Sequence, residues 1–368
     1  MNHQLLTRAE CKAMRGLAII GIFMHNYCHW LNPVVKENEY QYFQSNTDWF
    51  RQVLSAPDEL LPMHLLSFFG HYGVPVFLFL SAYGLVMKYE TSADGQSLQR
   101  GRSGLEGVFS FMQHHYKKLF KMMILGFVAF TMTDLMTPKS HHYAVLDIVA
   151  MLGMFNNLLP NPDDIIWPGP YWFFGLMIQF YIVYRLCLYR RHWLWNVLLI
   201  VICATIQLAC DPDGEALNRW RYNFIGGMLP FGFGVLYARY MRPLNTATHL
   251  VLFVLSLFAI IMLSFNYITW YFVPLAVCIA SVSFVKLASR LQIAQKEYKT
   301  GFMAMLTWVG SISAALFVCH PITRKIFIPL SREGDYWTGL LLYIISSICL
   351  AWLFKELMKR IPSPRLKN

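Results

Sequence analysis

The chain has 368 residues, 56% of them hydrophobic and only 14% charged, with a formal net charge of +11. Long apolar runs recur from end to end, which excludes a string of soluble domains and describes a polytopic membrane protein. The positive charge stands in the gaps between those runs, as membrane orientation requires, so no nucleic-acid partner is expected.

Helix 1 is expected over about 14–31, where an apolar segment from Leu17 to Met24 separates Arg15 from His25. No small-residue cleavage site follows it, so a retained helix is expected rather than a signal peptide. A polar loop over about 32–62 carries Glu37, Glu39, Asp48, Asp58 and Glu59. Helix 2 is placed at about 64–87, and a basic Gly/Ser-rich loop at about 88–117. Lys118 and Lys121 then lead into helix 3, which ends near Met136. The apolar stretch at about 144–159 is too short to span and reads as re-entrant or interfacial. Tyr171–Leu188 is helix 4, Trp193–Ala209 is helix 5, and Asp211-Pro212-Asp213-Gly214 is a turn. Helices 6, 7 and 8 are expected over about 222–240, 248–264 and 268–287. Helix 9 covers about 302–320 and stops at Pro321; helix 10 covers about 336–354. The eight cysteines form no CxxC pair and read as small buried hydrophobes.

Basic gaps fall at the N-terminus, at about 88–121, 185–192, 239–242 and 286–299, and at the C-terminus. Acidic or mixed gaps fall at about 32–62, 137–170, 210–221 and 321–335. The two sets alternate if 144–159 does not cross. The expected fold is therefore all-α: one membrane domain over 1–368 with about ten transmembrane helices and both termini cytoplasmic. No internal repeat is visible, which weakens a transporter reading.

In that topology His25 lies in the outer half of helix 1. An ionisable group inside a span marks a functional site, and an imidazole there suits a general base that deprotonates a hydroxyl. The plainer alternative is a hydrogen-bonded packing histidine. His29 is one turn further along, near the boundary. Arg15 stands at the cytoplasmic end, as a positive-inside anchor or an anion-binding group. Lys117, Lys118 and Lys121 form a basic cluster at the cytoplasmic end of helix 3, suited to the phosphates of a nucleotide-bearing donor. His71 and His320 fall on the outer side with His25. No metal site is expected, since no carboxylate or thiolate ligands stand at convincing spacing. Trp172 and Tyr181 read as interfacial aromatics, and Gln179 as a polar link between helices.

Three motifs resemble those of the acyltransferase-3 family of bacterial integral-membrane acyltransferases. "RGLAIIGIFMH" (Arg15–His25) resembles the first-helix pattern, and "FFGHYGVPVFLFLSAYGL" (Phe68–Leu85) the second-helix pattern, with Ala82 in place of a glycine. "LTWVGSISAALFVCHP" (Leu306–Pro321) resembles the late Gly-x-x-Ser to His-Pro pattern. "YWFFGLMIQFYIVY" (Tyr171–Tyr184) and the Lys118/Lys121 pair are further matches, and all stand in the family's order. In this chain one residue fewer than usual separates Arg15 from His25, and Met177 and Ile178 stand where many members carry a glutamate.

The resemblance implies a roughly ten-helix enzyme of the bacterial inner membrane. It would transfer an acyl group, often acetyl, from cytoplasmic acyl-CoA to a hydroxyl of a glycan or lipid-linked sugar. His25 and Arg15 would be the central pair, with Lys118 and Lys121 toward the donor. His71, Ser81 and His320 would line the acceptor side. The partners would be acyl-CoA as co-substrate, the glycan acceptor and membrane lipid, with no permanently bound cofactor. The alternative from another class is a transporter or flippase of a lipid-linked sugar.

Overall fold

Apolar runs without polar periodicity leave the backbone no partner in lipid except itself, so they fold as helices. A computed structural model describes residues 5–91, 105–294 and 301–362, and no strand occurs among these described residues. The principal helices are α1 (Arg8–Cys28), α2 (Gln44–Ser55), α3 (Leu61–Phe69), α4 (Gly73–Val86), α5 (Leu105–Met136), α6 (Val145–Gly153) and α7 (Trp172–Val183). They continue as α8 (Trp193–Leu208), α9 (Glu215–Arg221), α10 (Phe224–Tyr240), α11 (Thr246–Leu263), α12 (Val273–Ala294), α13 (Phe302–Arg332) and α14 (Tyr336–Arg360). Arg100, Arg102, Lys296, Lys299, Arg365 and Lys367, which belong to the expected basic gaps and tail, lie outside the described residues.

Among the described residues seven helices are long and apolar enough to cross a membrane, against the ten expected. The three that fall short do so for simple reasons. α1 carries Arg8, Glu10, Lys12 and Arg15 in its first turns, while α8 has 16 residues and α10 has 17. The stretch expected to be re-entrant or interfacial contains α6, a helix of 9 residues, well short of a span.

Two boundaries differ from the sequence expectation. α5 begins at Leu105, so the segment before Lys118, expected as a loop, is helical. Phe111, His115, Leu119, Met123 and Phe127 recur every fourth residue and are all buried, a helical stripe that the flanking polar residues obscured. α13 runs through Pro321 and Pro329 to Arg332 rather than stopping at Pro321. Buried proline is tolerated in a membrane helix when side chains occupy freed backbone groups. Pro321 leaves the Phe317 carbonyl without its helical donor; beside it, His320 Nδ1 meets the Leu316 carbonyl at 3.0 Å and Thr323 donates to the His320 carbonyl at 3.0 Å.

α1 sits at the centre, packed along α13 and against α3, α4 and α12. Its start is fixed by Thr7 and Glu10, which cap one another reciprocally, and Lys286 of α12 pairs with Glu10 at 2.8 Å. The α1–α13 crossing is a backbone contact. A Cβ on Gly310 would fall 1.8 Å from the Lys12 carbonyl oxygen, and one on Gly16 would fall 2.1 Å from that of Leu306. Small residues at such a crossing let helices approach closely where lipid offers no hydrophobic drive. Gly310→Ala is therefore expected to destabilise the protein by about 1–3 kcal/mol, as overpacking does. A lowered thermal unfolding midpoint in detergent is the readout, and an unchanged midpoint would refute the tight crossing.

Candidate active site

Two cavities lie on either side of the middle of α1. The first, of about 290 Å³, is lined by His25, His29, Glu37, Glu39, His71 and Arg324 among others; we call it the histidine cavity. The second, of about 220 Å³, is lined by Arg15, Ser81, Lys118, Tyr181 and Ser313 among others; we call it the basic cavity. Ile22, Val74, Phe173 and Phe317 line both, forming a thin apolar wall between them.

His25 is held by the break in the second span. α3 gives way to a 3-10 turn over Gly70–Tyr72, and the Ser67 carbonyl beside that break lies 2.7 Å from His25 Nδ1. A carbonyl can only accept, so Nδ1 carries the proton and the lone pair resides on Nε2. The turn also lets the backbone of Gly70 press against α1: a Cβ there would stand 2.6 Å from that of His25. The His25 side chain is 2% exposed, and its Nε2 lies 3.9 Å from Glu37 Oε1 and 3.8 Å from Glu39 Oε2.

The loop carrying these two glutamates is clamped from several sides. Arg221 Nε donates to the Glu39 carbonyl at 2.7 Å while its guanidinium stacks on Trp270, whose indole N–H donates to the Asn38 carbonyl at 3.0 Å. Asn46 donates to the Glu37 carbonyl at 2.9 Å. His29 Nδ1 lies 3.0 Å from Glu37 Oε1. Burial alone would raise the Glu37 carboxyl, but the His29 and His25 rings outweigh it and hold the group below the usual carboxylate range. Burial, aided by the Glu37 charge, pushes Glu39 the other way, up to about 8. Near neutral pH the pair thus divides into one ionised and one protonated carboxyl.

The remaining wall is rich in aromatic rings. Tyr40 stacks on Tyr222 with ring centroids 4.0 Å apart, and Trp172 meets both edge-on. The Tyr222 hydroxyl donates to Asp163 at 2.5 Å. Arg324, on α13, donates to the Asn26 carbonyl at 3.2 Å and lies over Trp30.

Of the residues singled out in the sequence, the histidine cavity gathers His25 and His71, whose ring centroids are 5.4 Å apart. The basic cavity gathers Arg15, Lys118 and Ser81. Ser81 was expected on the acceptor side beside His71. Ten residues of helix carry it about 15 Å along the axis, to the opposite cavity. The same interval separates Arg15 from His25, so that pair is also divided between the two cavities. Lys121 lines neither cavity, and His320 is buried within α13 outside both. Glu37, Glu39, Asp163, Tyr222 and Arg324 were not anticipated. For the glutamates a signal existed: they follow the histidine-bearing helix directly, on the side to which the charge alternation assigned His25.

A family model for an acyltransferase domain, that of the acyltransferase-3 family, matches residues 9–356. No curated protein and no solved structure matches the chain significantly.

The loop clamp is testable without an activity assay. A hydrogen bond to a charged group contributes about 1.5–3 kcal/mol, and each 1.4 kcal/mol is a factor of about ten in an opening equilibrium. Arg221→Ala is expected to accelerate hydrogen exchange over residues 36–43 by about tenfold or more, with α1 unaffected. Unchanged exchange in that loop would show that other contacts suffice to hold it.

Proposed function

The chain belongs to the acyltransferase-3 family, and from that premise we propose that this membrane acyltransferase moves an acyl group from cytoplasmic acyl-CoA to a hydroxyl of a carbohydrate or cell-envelope glycan. The observation that carries the reading is the pair of cavities on one helix. A histidine with its lone pair directed into a buried space lies across a four-residue wall from a space lined by Arg15 and Lys118. The first suits an acceptor hydroxyl, and the second suits an anionic donor whose thioester end reaches the wall. Lys118, with Lys121 three residues on along α5, draws the donor's phosphates.

In this reading His25 Nε2 takes the proton of the acceptor hydroxyl as its oxygen attacks the thioester carbonyl. The imidazolium so formed lies beside the ionised Glu37, which favours it. Arg324, the Lys or Arg side chain lining this cavity, supplies positive charge for the tetrahedral oxyanion. The carbon–sulfur bond then breaks, and the imidazolium returns its proton to the departing thiolate. The aromatic walls of Trp30, Tyr40, Trp172 and Tyr222 suit the apolar faces of sugar rings. The shared wall of Ile22, Val74, Phe173 and Phe317 favours a small acyl group such as acetyl. The same reading assigns the protein to a bacterial inner membrane.

With purified protein, acetyl-CoA and a mixed glycan acceptor pool, His25→Ala is expected to lower transfer by about 10²–10⁴ while leaving CoA binding intact. Transfer surviving at wild-type rate would remove His25 from the mechanism. Lys118→Ala is expected to raise KM for acetyl-CoA by about tenfold or more without changing the KM for acceptor. A change confined to the acceptor would assign the two cavities the other way round.

A further inference from the structure

The histidine cavity holds an arrangement that base catalysis alone does not require. The donor atoms of His25, His29 and Glu37 all lie within 4.8 Å of one another. Two atoms each about 2.1 Å from a tetrahedral centre stand roughly 3.4 Å apart. The observed separations bracket that value: 3.0 Å from His29 Nδ1 to Glu37 Oε1 and 3.9 Å from His25 Nε2 to the same oxygen. We propose that His25, His29 and Glu37 form a binding site for a divalent transition-metal ion such as zinc, within the histidine cavity.

Three further features suit a metal. The Ser67 carbonyl fixes His25 with its lone pair on Nε2, the second-layer support that metal-bound histidines characteristically have. One atom of the cluster, Glu37 Oε2, is buried with no hydrogen-bond partner among the described residues, which leaves it free for the ion. Glu39 Oε2, 3.8 Å from His25 Nε2, stands where it would hydrogen-bond a water bound to the ion. The nearby cations do not already fill the site. Lys36 donates to the carbonyls of His29 and Leu31, Arg324 donates to that of Asn26, and neither pairs with Glu37.

Proton accounting is simple. With His29 neutral, the proton between its Nδ1 and Glu37 leaves as the ion enters, and the unpartnered Nε2 takes it. The ring changes tautomer and no net charge is lost. His25 needs no change, because its Nε2 is already unprotonated.

An ion there occupies the lone pair that the proposed transfer uses, so metal and acceptor deprotonation exclude one another. That consequence rests on His25 acting as the base; the binding itself does not. Cobalt(II) is the probe, because its visible bands report low-coordinate nitrogen and oxygen ligation in zinc-type sites. Untagged full-length protein in detergent is titrated with cobalt and then zinc. One equivalent with intense bands, displaced by zinc, is expected. His29→Ala and Glu37→Gln should each weaken binding by about tenfold or more, with His141→Ala as a control of no effect. Absence of bands in the wild type, or equal affinity in both site variants, would overturn the proposal. The wild-type titration needs no folded variant, and Glu37→Gln is near-isosteric. Zinc inhibition of transfer that parallels cobalt occupancy supports both readings. Site occupancy with full or increased transfer keeps the metal site and overturns His25 as the base.

Discussion

A single hydrogen bond sets the chemistry of the site. The Ser67 carbonyl can only accept, so at 2.7 Å from His25 Nδ1 it fixes the tautomer and orients Nε2 toward Glu37 and Glu39. That bond depends on the interruption of the second span at Gly70–Tyr72. It also depends on the absence of a side chain at Gly70, which lets the broken segment lie against α1 beside His25. The close α1–α13 crossing at Gly16 and Gly310 holds the other end of the same helix. Glycine thus has a positional meaning here: it brings backbones together where a buried polar side chain is held without freedom.

The register of α1 then does the spatial sorting. A rise of about 1.5 Å per residue separates Arg15 and His25 by about 15 Å, so they line different cavities. The 3-10 turn and α4 carry the matching pair in reverse, His71 of the turn beside His25 and Ser81 of α4 in the cavity of Arg15. Two segments running in opposite directions therefore distribute four polar groups between the two cavities. Ile22, Val74, Phe173 and Phe317 line both. A wall of side chains rather than backbone can yield by rotamer change, on the timescale of side-chain motion.

Much of this is legible in the sequence. Apolar runs specify helices because nothing else satisfies a backbone in lipid, and the motif order identified the family. His25 stands out because an ionisable group in so apolar a helical run is rare. What stayed hidden is non-local. Nothing at Glu37 or Glu39 announces that Arg221 and Trp270, far along the chain, clamp their loop over α1. Pro321 reads locally as a stop, but the stretch around it is buried among other helices and the helix continues to Arg332. Ser81 falls in a different cavity from His71 because a motif gives residue order, whereas the cavity depends on distance along the axis.

The central claim is that donor and acceptor reach α1 from opposite faces and meet across the shared wall. Sided transfer in sealed vesicles tests this most directly, with acetyl-CoA confined to one face and acceptor to the other. Product is expected only when acetyl-CoA faces the Arg15 end of α1 and acceptor faces the His25 end, and Phe317→Trp, which thickens the wall, should suppress it. Transfer that requires both substrates on the same face would contradict the claim.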